Sequence, residues 1–184
     1  MAANLAMRSA AAAVLCLAAW PVLAQQASGP MSGIKLSGDE PIQIESDRLE
    51  VRDKESMAIF SGNVSVVQGT TLLKSGKMTV HYAAGGTGGA ATGSTDIDRI
   101  EVDGKVYLKS DTQIATGDRG TFDMKTEIFV LTGKEVVLSE GENVLVGCKL
   151  TADMKSGRAE VEGCPGADGG GRVKMLLKPG SQTQ

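Results

Sequence analysis

The side chains whose types could carry chemistry are few: one histidine, three cysteines and a spread of carboxylates. His81 is the single imidazole, and nucleophilic or general-base catalysis usually recruits one beside a Ser, Cys or acid. No serine stands in a nucleophile-elbow context, and neither a phosphate loop nor zinc-ligand spacing occurs. His81 falls on a strand together with Asp123 and Asp153, on the phase that faces solvent. The sequence therefore predicts a protein that is not an enzyme, without cofactor or metal. Cys148 and Cys164 flank a hairpin that turns near Ser156. Counting outward from the turn puts them almost opposite each other. They form either a cross-strand disulfide or two separate thiols; two Cys alone are too few to hold zinc. A bond closing so short a loop would add about 3 kcal/mol in the chain-entropy model.

The remaining composition describes the scaffold that must position these groups. Of 184 residues, 41% are hydrophobic but only 3% aromatic, and 24 are Gly. Short strands joined by tight turns use such a mixture. Residues 1–24 read as a secretory signal peptide: Arg8, an apolar run from Ser9 to Trp20, then Val22-Leu23-Ala24 before Gln25. Cys16 does not mark a lipoprotein, because Leu15 is too large for that processing. Removing Arg8 with this segment leaves 18 basic and 22 acidic side chains, a net charge of −4. No basic stripe for nucleic acid is visible. Residues 25–40 read as a flexible leader, 83–95 as a Gly-rich loop and 179–184 as a disordered tail.

Between these segments the chain repeats itself. Gly62-Asn63-Val64-Ser65-Val66 matches Gly104-Lys105-Val106-Tyr107-Leu108 and Gly133-Lys134-Glu135-Val136-Val137, with Gly163 opening the next unit. The last three glycines recur about every 30 residues. Apolar and polar residues alternate within each unit, the period of a half-buried strand. One phase holds Leu49, Val51, Ala58, Phe60, Val64, Val66, Met78, Val80, Ile100, Val102, Val106, Leu108, Phe122, Phe129, Leu131 and Leu150. The other holds Arg48, Glu50, Arg99, Glu101, Arg119 and Glu160. Each repeat glycine interrupts a strand without changing its phase, which predicts a bulge where the strand passes from one sheet to another. The expectation is an all-β domain over 41–178 with two stacked antiparallel sheets.

Ile44-Glu45-Ser46-Asp47, Phe60-Ser61-Gly62-Asn63-Val64-Ser65-Val66-Val67-Gln68-Gly69 and Val130-Leu131-Thr132-Gly133 resemble the LptA/OstA family of periplasmic lipopolysaccharide-transport bridge proteins. The resemblance implies a slightly opened β-jellyroll in the periplasm that holds the lipid A part of lipopolysaccharide in an apolar groove. It implies partners at both ends: an inner-membrane anchored component at the N-terminal edge, and an outer-membrane translocon or a second copy, head to tail, at the C-terminal edge. The cysteine pair departs from the family pattern.

On this reading the interior lipid-binding residues are Leu49, Val51, Phe60, Val64, Val80, Val102, Val106, Phe122, Phe129 and Leu131. The partner edges carry Ile42 and Ile44 at one end and Val173, Met175 and Leu177 at the other, since unpaired strands template pairing with another chain. Lys77, Arg99, Lys105 and Arg119 are candidate rim contacts for phosphate, against the simpler reading of solvated surface charge. Two other readings compete. One is a periplasmic scaffold whose interior its own side chains fill. The other is a carbohydrate-active enzyme, which would need clustered acids that the sequence does not show.

Overall fold

The computed structural model describes residues 41–83, 97–166 and 171–178. The expected signal peptide, leader and tail, and the Gly-rich loop beyond Ala83, lie outside the described residues. Ten strands form one antiparallel sheet: β1 Gln43–Glu45, β2 Arg48–Arg52, β3 Met57–Gln68, β4 Thr71–Tyr82, β5 Ile97–Ser110, β6 Gln113–Asp123, β7 Ile128–Glu140, β8 Asn143–Asp153, β9 Arg158–Glu162 and β10 Lys174–Leu176. A single 3-10 turn, Asp53–Glu55, joins β2 to β3.

Strands β3 to β8 are 11 to 14 residues long, about twice the usual strand length of 5–6. Each is broken near its middle. The pairing register shifts between Ser61 and Val64, Lys74 and Lys77, Asp103 and Val106, Thr116 and Arg119, and Thr132 and Val136. These bulges stand side by side and fold the sheet along one line, the spine. Two arms result, built from opposite halves of the same strands. The first arm runs β2-β3-β4-β5-β6-β7-β8-β9 and the second β1-β3-β4-β5-β6-β7-β8-β10. The two stacked sheets expected from the alternation are these arms, and the structure is an open antiparallel β-jellyroll.

The spine explains three of the four repeat glycines, Gly62, Gly104 and Gly133. Gly163 interrupts no strand: β9 ends at Glu162, so the bulge expected there is a correction. Gly62 and Asn63 together oppose Gly76, and both have left-handed backbones, φ +78° and +46°. Gly104 and Lys105 repeat this at +81° and +61°. Such a pair makes a bulge that bends the strand and raises its twist. A Cβ on Gly62 would collide with the Asp47 carboxylate. Asp47 also receives a 2.8 Å hydrogen bond from Asn63 Nδ2, and its own N–H donates to the Gly62 carbonyl at 2.9 Å. The phrases around Ser46-Asp47 and Gly62-Asn63, far apart in the chain, are therefore two sides of one bend.

The core follows the spine. Val64, Val106, Val136, Leu131 and Leu150 are each at most 1% exposed. Cys148, at the bend of β8, is bonded to Cys164, where the chain leaves β9 on the first arm. The chain then crosses to β10 on the second arm.

Candidate functional site

Inward residues of the two arms face one another across an apolar cavity of about 60 Å³ that opens to solvent. The first arm contributes Met78, Ile100, Val102, Gly120, Thr121, Phe122, Phe129 and Met154. The second contributes Val66, Gln68, Thr71, Leu73 and Leu108. Gly120 helps keep the space open: it stands in the row where neighbouring strands place Val102 and Leu131.

The expected interior residues divide into three groups. Val102, Phe122 and Phe129 line the cavity. Val64, Val80, Val106 and Leu131 are buried in the core around it without lining it, while Phe60 packs against that core half-buried. Val51 is half-buried on β2, and Leu49 is 52% exposed. Leu49 has the inward phase, opposite Phe60, but β2 is an edge strand. As an interior residue it is a correction: it stands at the end of the groove rather than inside it. The alternation alone missed Leu73 and Met154. Leu73 keeps the period of β4 two residues after Thr71, a signal that was present; Met154 lies in a turn, beyond the reach of strand period. Gln68 and Thr71 were also missed, because polar types at inward positions contradict the pattern the period seeks.

The four candidate rim cations lie elsewhere. Lys77, Arg99, Lys105 and Arg119 occupy the outward phase or the spine, and two hold carboxylates: Arg119 reaches Asp103 at 2.6 Å and Arg99 reaches Glu101 at 2.9 Å. Among the described residues no lysine or arginine lines the cavity. His81 Nε2 stands 3.5 Å from Glu101, and its side chain is only 23% exposed. Among the described residues no cluster of three or more His, Cys, Asp and Glu could hold a metal.

The arms differ at their hairpin tips. On the first arm, Asp123 Oδ1 accepts from the backbone N–H of Lys125 (3.1 Å), and from the N–H and hydroxyl of Thr126 (both 2.8 Å). Asp153 does the same for Lys155 (2.9 Å) and Ser156 (3.1 Å). The Thr126 N–H and hydroxyl hold the Asp123 carboxyl below its ordinary pKa, and Ser156 does so for Asp153. Behind these turns Tyr82, Ile97 and Met154 pack on the core; burial pushes the Tyr82 phenol up. On the second arm the turns use left-handed Gly69, Asp111 and Gly141. The inward pairs beside them are polar: Gln68 with Thr71, Ser110 with Gln113, Glu140 with Asn143.

Both ends of the groove carry two edge strands, one per arm: β1 and β2 at the N-terminal end, β9 and β10 at the C-terminal end. Apolar side chains are exposed there: Ile42 49%, Ile44 37%, Val173 39%, Met175 62% and Leu177 59%. Ile44 pairs with Val66 and Met175 with Leu145, so both continue the inward rows past the enclosed part. A second pocket of about 70 Å³ lies under Met175, with Leu138 and Leu145.

A sheet folded on a line of bulges around an apolar cavity, with edge strands at both ends, defines a groove-forming β-jellyroll. The chain belongs to the family described as LptA/(LptD N-terminal domain) LPS transport protein, whose model matches residues 43–158. Among its relatives is protein R00383 of Rhizobium meliloti (strain 1021), 52% identical over 180 residues, which cover 98% of this chain and 92% of that one. Another is the lipopolysaccharide export system protein LptA of Escherichia coli K12, 28% identical over 161 residues, 86% of this chain and 81% of that one. In fold it is similar to the crystal structure of LptH, the LptA homologue of Pseudomonas aeruginosa, with TM-score 0.61 and 19% identity over 76% of this chain and 96% of that one. The family match ends at Arg158 of β9, so β10 and Cys164 lie beyond it.

Proposed function

We propose that this chain acts in lipopolysaccharide transport as a periplasmic carrier, holding the acyl chains of lipid A between its two arms and bridging inner- and outer-membrane components. The cavity carries this reading. A scaffold working only through protein contacts would fill its interior, whereas an apolar cavity of about 60 Å³ stands open between Phe122 and Phe129 on one arm and Leu73 and Leu108 on the other. Each methylene moved from water into such a space gains about 0.8 kcal/mol. Ten would give roughly 8 kcal/mol before ordering costs, enough to hold a lipid that must later leave. Neighbouring apolar residues form rows across the strands, so the lipid meets similar surroundings as it shifts.

The ends serve as joints. In this reading β1, with Ile42 and Ile44, takes the edge of an inner-membrane anchored component. β10, with Val173, Met175 and Leu177, takes an outer-membrane translocon or a second copy. Exposed inward-phase residues at both ends would then align the grooves of successive proteins. No catalytic step belongs to this account.

The test is equilibrium binding of lipopolysaccharide to the purified mature protein and to a Leu73→Trp variant, which fills the cavity from the second arm. Binding by the first and its loss in a variant that keeps its melting temperature is expected. Equal binding by both would place the lipid elsewhere.

A further inference from the structure

The outer faces of the two arms differ in chemistry. An antiparallel sheet with one face on the core normally turns polar side chains outward. The first arm does so. Lys77, Asp103, Arg119, Lys149 and Glu162 share one outward row. Arg119 reaches Asp103 at 2.6 Å there, and Lys149 reaches Glu162 at 2.5 Å. The second arm does not. Its outward row nearer the tip runs Val67, Leu72, Lys109, Ile114, Ser139, Val144 and Leu176 through successive cross-strand pairs. In the next row, nearer the spine, Val137 stands beside Val146. Val67 is 41% and Leu176 64% exposed. Among the described residues, Glu45 on β1 is the one carboxylate of these two rows, and Lys174 stands at the opposite edge on β10. Apolar residues on both faces are the pattern of a sheet covered on both sides.

We infer that a second copy of this chain covers the face, so that two molecules stack back to back through the outer faces of their second arms. The area suffices. The second arm is eight strands wide. At sheet spacings and about five residues of depth, it offers roughly 600 Å² per copy. Two copies would bury about 1,200 Å², which reaches the range of specific pairs. An apolar face is also complementary to itself, as a two-fold pair requires. The edge charges fit the same symmetry. A two-fold axis along the strands lays β1 of one copy over β10 of the other, and brings Glu45 toward Lys174 of the second copy twice. Such stacking uses neither the inward side chains nor the backbone of the edge strands. Both grooves and all end strands stay free, so the pairing does not depend on what the groove holds.

Sedimentation equilibrium of the purified mature protein tests the pairing. End-to-end association is set aside by Ile44→Asp, which places a charge on the N-terminal edge. That variant is compared with the same chain also carrying Val137→Glu on the outer face. Circular dichroism and melting temperature establish folding. The expected result is that Ile44→Asp protein associates and stops at two copies. Adding Val137→Glu should weaken that dimer by about tenfold or more, because a charge would be buried without a partner. Ser139→Arg, at a polar position between Ile114 and Val144, decides by the same criterion if Val137→Glu does not fold. Equal dimerisation with and without the outer-face change overturns the pairing. So does an Ile44→Asp protein that stays monomeric, whether or not wild type grows into longer chains through its ends. Monomers that bind vesicles of anionic phospholipid, and lose that binding with Val137→Glu, would give the face to a membrane and overturn the pairing as well.

Discussion

The two arms are made from the same six long strands, yet they end differently. At the first arm's tips Asp123 and Asp153 clamp the turns from outside, and apolar Tyr82, Ile97 and Met154 lie behind them. At the second arm's tips the turns rest on left-handed Gly69, Asp111 and Gly141, and the inward residues are Gln68, Thr71, Ser110 and Gln113. One tip is apolar inside with its charge outside; the other is polar inside. A bulge line divides every strand into two environments, so one strand can serve both. The difference shows that the strand period fixes which way a side chain points, while the arm it belongs to decides what it meets there.

That comparison can be broken most severely near the spine, where the arms are one body. Leu131→Ala removes a side chain that is 0% exposed and abuts Gly117 on the neighbouring strand. It should cost about 2–5 kcal/mol, read as a lower urea midpoint with unchanged slope, and loosen both arms together. Next comes the Cys148–Cys164 bond, with a separation of 16 residues. Reduction or Cys164→Ser should cost about 3 kcal/mol, read as a lower melting temperature, with hydrogen exchange rising first along β9 and β10. Exchange that rose uniformly would mean the bond braces the whole molecule rather than its C-terminal end.

The smallest expected effect sharpens the contrast between tips. Asp123 and Asp153 have folded pKa values below those of the unfolded chain. Their stabilisation is therefore fully present above the ordinary carboxylate range and is lost as pH falls through the lowered folded values. Amide exchange at 124–127 and 154–157 should accelerate, relative to the turns at 69–70 and 141–142, as pH falls below that range. Asp123→Asn should flatten the acid dependence at its own turn. Both carboxylates are exposed, so global stability should hardly move. Parallel behaviour of the two sets of turns would remove the distinction.

Much of this molecule was legible in its sequence because alternation and repeated glycines are local signals. Val64, Val80, Val102, Val106, Phe122, Phe129 and Leu131 all carry the buried phase, and the repeat glycines Gly62, Gly104 and Gly133 mark bends, while Gly163 stands past the end of its strand. Where the signal is not local, the reading stopped. Leu49 has the right phase but no full facing arm, so it is exposed at the groove's end. The sequence singled out one edge strand at each end, but the chain leaves two, β1 with β2 and β9 with β10, because the fold divides each end between arms. The polar row was illegible for a different reason: a pattern search for apolar alternation discards Gln68 and Gln113, although their phase is the inward one. The rim cations were placed by charge alone, and Arg99 and Arg119 instead stand on the outer face beside carboxylates.

The central claim is that lipid occupies the space between the arms. A photoreactive residue placed at Phe122, and separately at Val130, tests it in cells making lipopolysaccharide. Phe122 lines the cavity, whereas Val130 lies on the opposite phase of the adjoining strand, between Phe129 and Leu131. An adduct of lipopolysaccharide at position 122 and none at 130, in folded and exported protein, is the predicted result. Adducts at both positions, or at 130 alone, would contradict an internal track.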